Sequence, residues 1–571
     1  MTSMNGFPVR GWRSLPYLGL VVLAGLAAHG LLFFTDHVIW DGWWYAADLS
    51  RPEGPTSMAR LFHEVGRPLD MLFYLPFRHR GDSVILAKWL GVAAWIGSAV
   101  FMEIVMVRLG RMPAAVATAI AVLAVTAPVF DLLGELALWM NTACVFLFWL
   151  AWVLVTLMKD ANGWRRIALR ISAIAVFFIS FDLNSQLVMF YAVAAFLFAL
   201  RLPALDVRTL RDRLPRAAVR HADFLALPVV FWLWKTFFTA TSGFYSGYNK
   251  PSIDPLALSS GYASMAMNLV VLGLLELFAS PNWIAAAIAV GVAVAVATTR
   301  WNASAVGVMA PLPARGAWFA GMGGMLLVAA AFPYIAVGQN LASEGWLTRN
   351  GILCSLPVAL LFMGAAVGAN RMFLPGRPVA WMIGVCVIAV LCIGNCQRNY
   401  LALQGFGAKQ RSIQDKLRGA VAGSRVCVIQ LRDYYQIPAT IPFYPPLIWT
   451  SIAGGGKPSP ETFVIETASQ FPDQIARDVN GEQRRVVPQL PLSSADVDQA
   501  ITQTTMPYAL QLVPRTGPQK LVTIMPGKHG NDGVSLGILY LWLKWFDRAK
   551  VGEFLESLTE SQAFDLPRIG G

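Results

Sequence analysis

At 571 residues, with 56% hydrophobic and only 14% charged side chains, the chain is too apolar for a water-soluble globule, since soluble domains carry about 25% charged residues. Its net charge of +12 does not point to nucleic acid, because the Lys and Arg residues lie in short segments between apolar runs and form no single stripe. Repeated apolar stretches long enough to cross a hydrocarbon core of about 30 Å demand helices, the open structure that pairs its own backbone in lipid. The composition therefore predicts an α-helical polytopic membrane protein.

In chain order, the first apolar run, 15–34, follows Arg10 and Arg13 like a signal peptide. It is longer than a usual signal core and lacks a small-residue cleavage site, so we read it as a retained signal-anchor. A long polar and aromatic loop, 35–82, comes next. Further spans are expected over 83–107, 113–130, 137–158, 167–181, 186–202, 223–240, 283–299, 317–337, 351–369 and 378–396. The stretch 265–280 contains Glu276 and is followed by Pro281. With the N-terminus in the cytoplasm, the inward segments hold about eighteen Lys and Arg and the opposite loops about seven. This positive-inside bias survives to Arg371 and Arg377 only if 265–280 does not cross. That stretch is accordingly expected to be re-entrant or interfacial, leaving eleven spans and an external C-terminus.

From 401 to 571 the composition becomes mixed in charge and rich in Pro and Gly. SRVCVIQL (424–431) and KLVTIM (520–525) read as buried strands. AKQRSIQDKLRGAVAG (408–423) reads as an amphipathic helix, and 535–558 as an aromatic-rich segment resting on the membrane or on the soluble core. A small α/β domain is expected outside the membrane. It contains no P-loop, no GxGxxG and no zinc spacing, and GGGK (454–457) reads as a turn. Cys396 and Cys427 could pair if both face an oxidising compartment.

On this topology the outer turns collect the polar residues. Loop one supplies Asp36, Asp41, His63, Glu64, Arg67 and Asp70, and the next turn supplies Asp131, Glu135 and Asn141. The remaining turns supply Asp182, then Lys235, Tyr245 and Tyr248, and finally Trp346 and Arg349. An acid just beyond a span can act as a general base, and an arginine can grip a phosphate with a bidentate fork. Aromatic side chains such as Trp40, Trp43, Trp44 and Tyr45 can stack on sugar rings or mark the lipid headgroup level. Together they suggest transfer from a lipid phosphate to a hydroxyl acceptor beside a bilayer.

The order of a first span, an outer loop with an Asp-aromatic element (WDGWWYA) and a downstream Gly-Arg element (VGRPL) resembles the GT-C superfamily of membrane glycosyltransferases. FPYIAVG followed by WLTRNGILCSLPVALLF is similar to a late segment of bacterial GT-C-like proteins. The resemblance covers about residues 1–400 and implies a many-helix core in a bacterial inner membrane, with a polyprenyl-phosphate-linked sugar as donor. It implies that Asp41 is the catalytic base, with Asp36 as the alternative because the doubled acid common in the family is missing. Arg67 and Arg349, with Lys235 near them, would bind donor phosphate. His63, Glu64, Asp131, Glu135, Asp182, Tyr245, Tyr248 and Trp346 would serve the acceptor or substrate, which could be a glycan, a lipid or a protein. No cofactor is required by these residues, although a divalent cation (Mg or Mn) is one use the acids could have. A transporter or flippase of lipid-linked sugars, a glycan polymerase or ligase, and a sensory protein working through its C-terminal domain are the alternatives.

Overall fold

A computed structural model describes residues 15–52, 54–201, 218–239, 241–242, 250–252, 254–279, 316–341, 345–373, 381–431, 446–454, 462–466, 475–477, 483–485, 492–502, 516–529 and 532–569. The chain begins with α1 (Leu15–His29), extended by a 3₁₀ turn Gly30–Phe33. Loop one then folds into three short helices, α2 (Asp41–Ser50), α3 (Gly54–Glu64) and α4 (Asp70–Tyr74). The bundle continues with α5 (Ser83–Arg108), α6 (Ala114–Thr126), α7 (Trp139–Lys159), α8 (Gly163–Ser180), α9 (Gln186–Ala199) and α10 (Ala222–Phe238). It is completed by α11 (Pro255–Met265), which runs through a π-helical turn Ala266–Leu272 into α12 (Gly273–Ala279), then α13 (Gly316–Ile335), α14 (Ser355–Phe373) and α15 (Trp381–Ala420).

Among the described residues six helices are long and apolar enough to cross a membrane: Ser83–Arg108, Leu136–Lys159, Pro255–Leu277, Gly316–Ile335, Ser355–Phe373 and Trp381–Ala420. Shorter apolar helices occupy three of the other expected positions, at Tyr17–Phe33, Ala114–Thr126 and Gln186–Ala199. Two expectations need revising or setting apart. The stretch 265–280, read as interfacial, is the second half of a helical run from Pro255 that has the length to cross. The sequence pattern missed its first turns because Ser259, Ser260 and Gly261 dilute the hydropathy there. The span expected over 283–299 lies outside the described residues.

One side of α1 packs against α5, α6 and α15, while Leu20, Leu23 and Leu26 stay exposed on the other. Its His29 is buried, with Nδ1 2.7 Å from the Tyr400 hydroxyl and Nε2 2.6 Å from the Val125 carbonyl oxygen. Residue 400 was the expected edge of the membrane part, yet α15 runs through it without a break. The amphipathic helix expected over 408–423 is thus the last part of a membrane helix. No loop separates the two parts of the chain at this point.

After α15 the chain forms β1 (Val426–Leu431), α16 (Pro446–Ala453), β2 (Phe463–Glu466), the pair β3 (Ile475–Arg477) and β4 (Gln483–Arg485), and α17 (Ser494–Thr502). It ends with β5 (Gly517–Pro526), α18 (Gly533–Phe546), α19 (Val551–Leu558) and β6 (Thr559–Ile569). The main sheet has the order β2-β1-β5-β6, with β1 parallel to β2 and β5 and with β6 antiparallel to β5. Strand β1 is apolar on both faces, as a covered parallel strand must be. Val426 and Val428 pack with Ile465 and Val497 on one side, while Cys427 and Ile429 join the main core on the other. Both expected strands are present, and Cys396 and Cys427 are separate buried thiols.

α18 lies along α15 at very short range, and glycine makes this possible. A methyl at Gly405 would meet the Gly533 carbonyl oxygen at 2.0 Å, and one at Gly537 would meet the Leu401 carbonyl oxygen at 2.0 Å. Gly537→Val should therefore force the helices apart and destabilise the protein by about 1–3 kcal/mol, read as a lower thermal midpoint in detergent.

Candidate active site

Loop one is anchored before it reaches Asp41. The Asp36 carboxylate receives Arg411 Nη2 at 2.6 Å and Lys544 Nζ at 2.9 Å on one oxygen, and Gln404 Nε2 at 2.8 Å on the other. Its own N–H donates to Gln404 Oε1 at 3.0 Å. Burial alone would raise this acid, but Arg411 and Lys544 overcome burial and hold it at about 2. These partners come from α15 and α18, so Asp36 is a clamp between loop one and the C-terminal part. The candidate role of Asp36 as alternative base has to compete with this full set of partners.

The next residue, His37, enters a fully buried trio. His37 Nε2 lies 3.2 Å from Glu135 Oε1, Lys88 Nζ lies 3.4 Å from the same oxygen, and Lys88 Nζ is 3.1 Å from His37 Nε2. Glu135 Oε2 accepts the Ile39 N–H at 3.1 Å. Gly134 explains the close approach: its φ is +82°, and a methyl there would sit 2.8 Å from Lys88 Cα. Burial would raise Glu135, but Lys88 and His37 reverse this and lower it. Glu135, expected to serve substrate, is thus committed to holding the entry to α2.

Asp41 opens α2. The preceding Trp40 has φ +48°, a backbone setting that bulky L-residues rarely adopt and that costs energy to hold. Helix α2 then runs to Ser50 and stops where Arg51 becomes extended before Pro52. Burial pushes the Asp41 carboxyl up to about 6, with the Arg349 charge opposing. Asp48 is also pushed up to about 6 by burial, but it has its own partner in Arg51 at 3.5 Å. A near-neutral value alone therefore does not single out Asp41; the opposing charge of Arg349, brought from far along the chain, does.

Beyond Asp41, Tyr45 and Tyr74 stand with ring centroids 5.2 Å apart, and both feel the charges of Asp41, Asp70 and Arg67. Gly66, the glycine of the Gly-Arg element, has φ +75° and room for no methyl, because the Thr239 carbonyl oxygen would lie 2.7 Å away. This turn directs Arg67 inward, with Nε 3.1 Å from Asp70 Oδ2 and Nη2 donating to Asn141 Oδ1 at 3.2 Å. Burial disfavours the Arg67 charge, but Asp70 and Asp182 more than restore it.

Asp182, from the turn between α8 and α9, meets the Asp70 carboxyl directly. Burial pushes Asp70 well above the carboxylate range; Arg67 opposes this and Asp182 reinforces it. Among the described residues no hydrogen-bond donor reaches either carboxylate oxygen of Asp182. Lys235 adds its charge to this group and donates from Nζ to Asn184 Oδ1 at 2.9 Å. Tyr334, at 3.2 Å from Ser185 Oγ, senses both Arg67 and Arg349.

The structure therefore gathers Asp41, Arg67, Asp182, Lys235 and Arg349 of the expected residues. Asp131 lies elsewhere, buried near Cys396 and Tyr400 of α15. His63 is exposed on the last turn of α3. Glu64 neighbours it, and its Oε2 is buried with no hydrogen-bond partner among the described residues. Tyr245, Tyr248 and the side chain of Trp346 lie outside the described residues. Lys88, Gln404, Arg411 and Lys544 were not anticipated. Lys88 carried a readable signal, since a lysine inside a span needs a buried partner. The other three come from about 370 to 510 positions away, and nothing in their local sequence points to Asp36. No three His, Cys, Asp or Glu side chains converge on a possible metal position among the described residues. The Asp70–Asp182 pair already has Arg67 and Lys235 beside it as cations.

This is a helical protein with the apolar helices of a membrane-embedded chain, a folded polar loop after its first helix and a small C-terminal sheet. No protein-family model, no curated protein and no solved structure matches it.

The Asp36 clamp has a measurable consequence. Its acid is stronger in the folded chain (about 2) than its ordinary value of 3.8, so its contribution is complete above pH 4 and is lost as pH falls toward 2. Asp36→Asn should cost about 2 kcal/mol at pH 7, measured by denaturation in detergent. The gap from wild type should close as pH drops below about 4.

Proposed function

We propose that the protein is a membrane glycosyltransferase that moves a sugar from a polyprenyl-phosphate donor to a glycan, lipid or protein hydroxyl. The observation that carries this is Asp41: an acid brought near neutrality by burial, held behind a strained Trp40 and facing Arg349. A base must be ionised at working pH yet basic enough to take a proton, and an acid near 6 meets both needs. Arg67 and Arg349 both act on Tyr334 through their charge, and positive charge of this kind is what a departing phosphate requires.

In this mechanism Asp41 accepts the proton of the acceptor hydroxyl. The hydroxyl oxygen forms its bond to the anomeric carbon as the bond from that carbon to the phosphate oxygen breaks. The electron pair leaves on the polyprenyl phosphate, which Arg67 and Arg349 stabilise, and the anomeric configuration inverts. The Asp41 end of the bundle then faces the periplasm or cell exterior, with the N-terminus in the cytoplasm. The C-terminal part helps because α16 packs against α2 and the Trp43 indole N–H donates to Gln410 Oε1 at 3.3 Å.

Purified protein incubated with radiolabelled polyprenyl-phosphate sugars and membrane acceptors tests the proposal. Asp41→Asn should cut transfer by about 10²–10⁴-fold while leaving the thermal midpoint nearly unchanged. In the wild type the rate should climb with pH through about 6, since the ionised form is the base. Full transfer by the variant would remove Asp41 from the mechanism, and movement of the labelled lipid without bond exchange would make the protein a flippase.

A further inference from the structure

A cavity of about 300 Å³ opens at the end of the bundle opposite Asp41. Its walls are apolar: Trp152, Phe177, Phe190 and Phe224. Trp152 stacks on Phe190 with centroids 5.5 Å apart, and Phe177 stands edge-on to both Trp152 and Phe190. Its rim carries the Arg201 guanidinium and the His221 imidazole.

Helix directions set the orientation. α9 starts beside Asp182 and ends near Arg201, while α10 starts after His221 and ends near Gly66. The rim therefore lies at the far end and the aromatic floor points toward the site. From Phe190 to Arg201 the chain climbs about 16 Å at a helical rise of 1.5 Å per residue. That is close to one leaflet, half of a hydrocarbon core of about 30 Å.

Among the described residues the charge around the rim is one-sided. His221 feels Arg170, Arg220 and Arg166, and Arg201 feels Arg111. Among the described residues the acid in this group is Asp223, which is held by Arg170 through a bidentate contact with distances of 2.6 and 2.5 Å. Arg170 also stacks over Phe224, 5.3 Å from the ring centroid. An apolar shaft one leaflet deep, with surplus cations at its mouth, is complementary to an acyl chain carrying an anionic headgroup.

We infer that this cavity binds an anionic membrane phospholipid, one acyl chain between α7, α8, α9 and α10 and the phosphate against Arg201 and His221. The inference is independent of the glycosyl-transfer proposal. Binding would fill a space beneath the turn that carries Asp182 and brace α10, which packs only against α8 and α9 among the stronger helix contacts described.

The test is native mass spectrometry of the full chain, released from detergent supplemented with phosphatidylglycerol or with phosphatidylcholine. Wild type should retain phosphatidylglycerol preferentially. Arg220→Gln, an exposed rim change that leaves the walls intact, should lower that preference by about fivefold, the effect of one cation near a membrane surface. Arg201→Gln should do the same. Ala194→Trp, which fills the shaft, should abolish retention of both lipids. Equal retention of the two lipids by wild type, or unchanged retention in folded Ala194→Trp, would overturn the inference. The Ala194→Trp sample is scored only with a thermal midpoint near wild type; if it fails that check, Ala194→Phe replaces it under the same two criteria.

Discussion

The carboxylate of Asp36 ties the two parts of the chain together, and the candidate site depends on that tie. It receives cations from α15 and α18, helices that lie more than 360 residues downstream. Buried ion pairs survive only when geometry and extra hydrogen bonds repay desolvation, and Gln404 supplies those bonds through both its amide atoms. With Asp36 fixed, His37 falls onto Lys88 and Glu135, and Glu135 in turn receives the Ile39 N–H. Each contact removes freedom from the loop just ahead of Asp41. A loop that would otherwise sample many conformations is delivered to one place.

Two kinds of acid coexist around this loop, and their environments separate them. Asp36 and Glu135 have cations in contact and are held ionised. Asp41 and Asp70 are governed by burial and are pushed upward. The first kind builds the scaffold; the second kind can take up or release a proton near neutral pH or hold one tightly. That division follows from which charges packing brings within a few ångströms, and acids spread along a sequence do not display it.

Much of the fold was legible beforehand because lipid imposes a simple rule. A segment that pairs its backbone in hydrocarbon must be helical and apolar over its length, so ten of the eleven expected spans coincide with helices, five of them long and apolar enough to cross. The two strands were legible for a similar reason, since β-branched runs such as VCVI fit a covered sheet. The start of the helical run at Pro255 was not legible because an averaged hydropathy pattern cannot see a helix whose early turns are small and polar. The continuity of α15 was also hidden, because a change of composition at residue 400 looks the same whether the backbone turns there or carries on.

For the candidate site, the sequence by itself determined part of the cast: acids at the ends of spans and the Gly-Arg element. Gly66 could be read as a turn residue, and Lys88 as a charge in need of a partner. Only the tertiary structure decided the roles. It paired Asp70 with Asp182, gave Glu135 to Lys88 and Asp36 to Arg411, and left Asp41 facing Arg349. The physical reason is range. Apolar periodicity acts over a few residues and is written locally, whereas a carboxyl's charge state depends on burial and on cations that the chain delivers from hundreds of residues away.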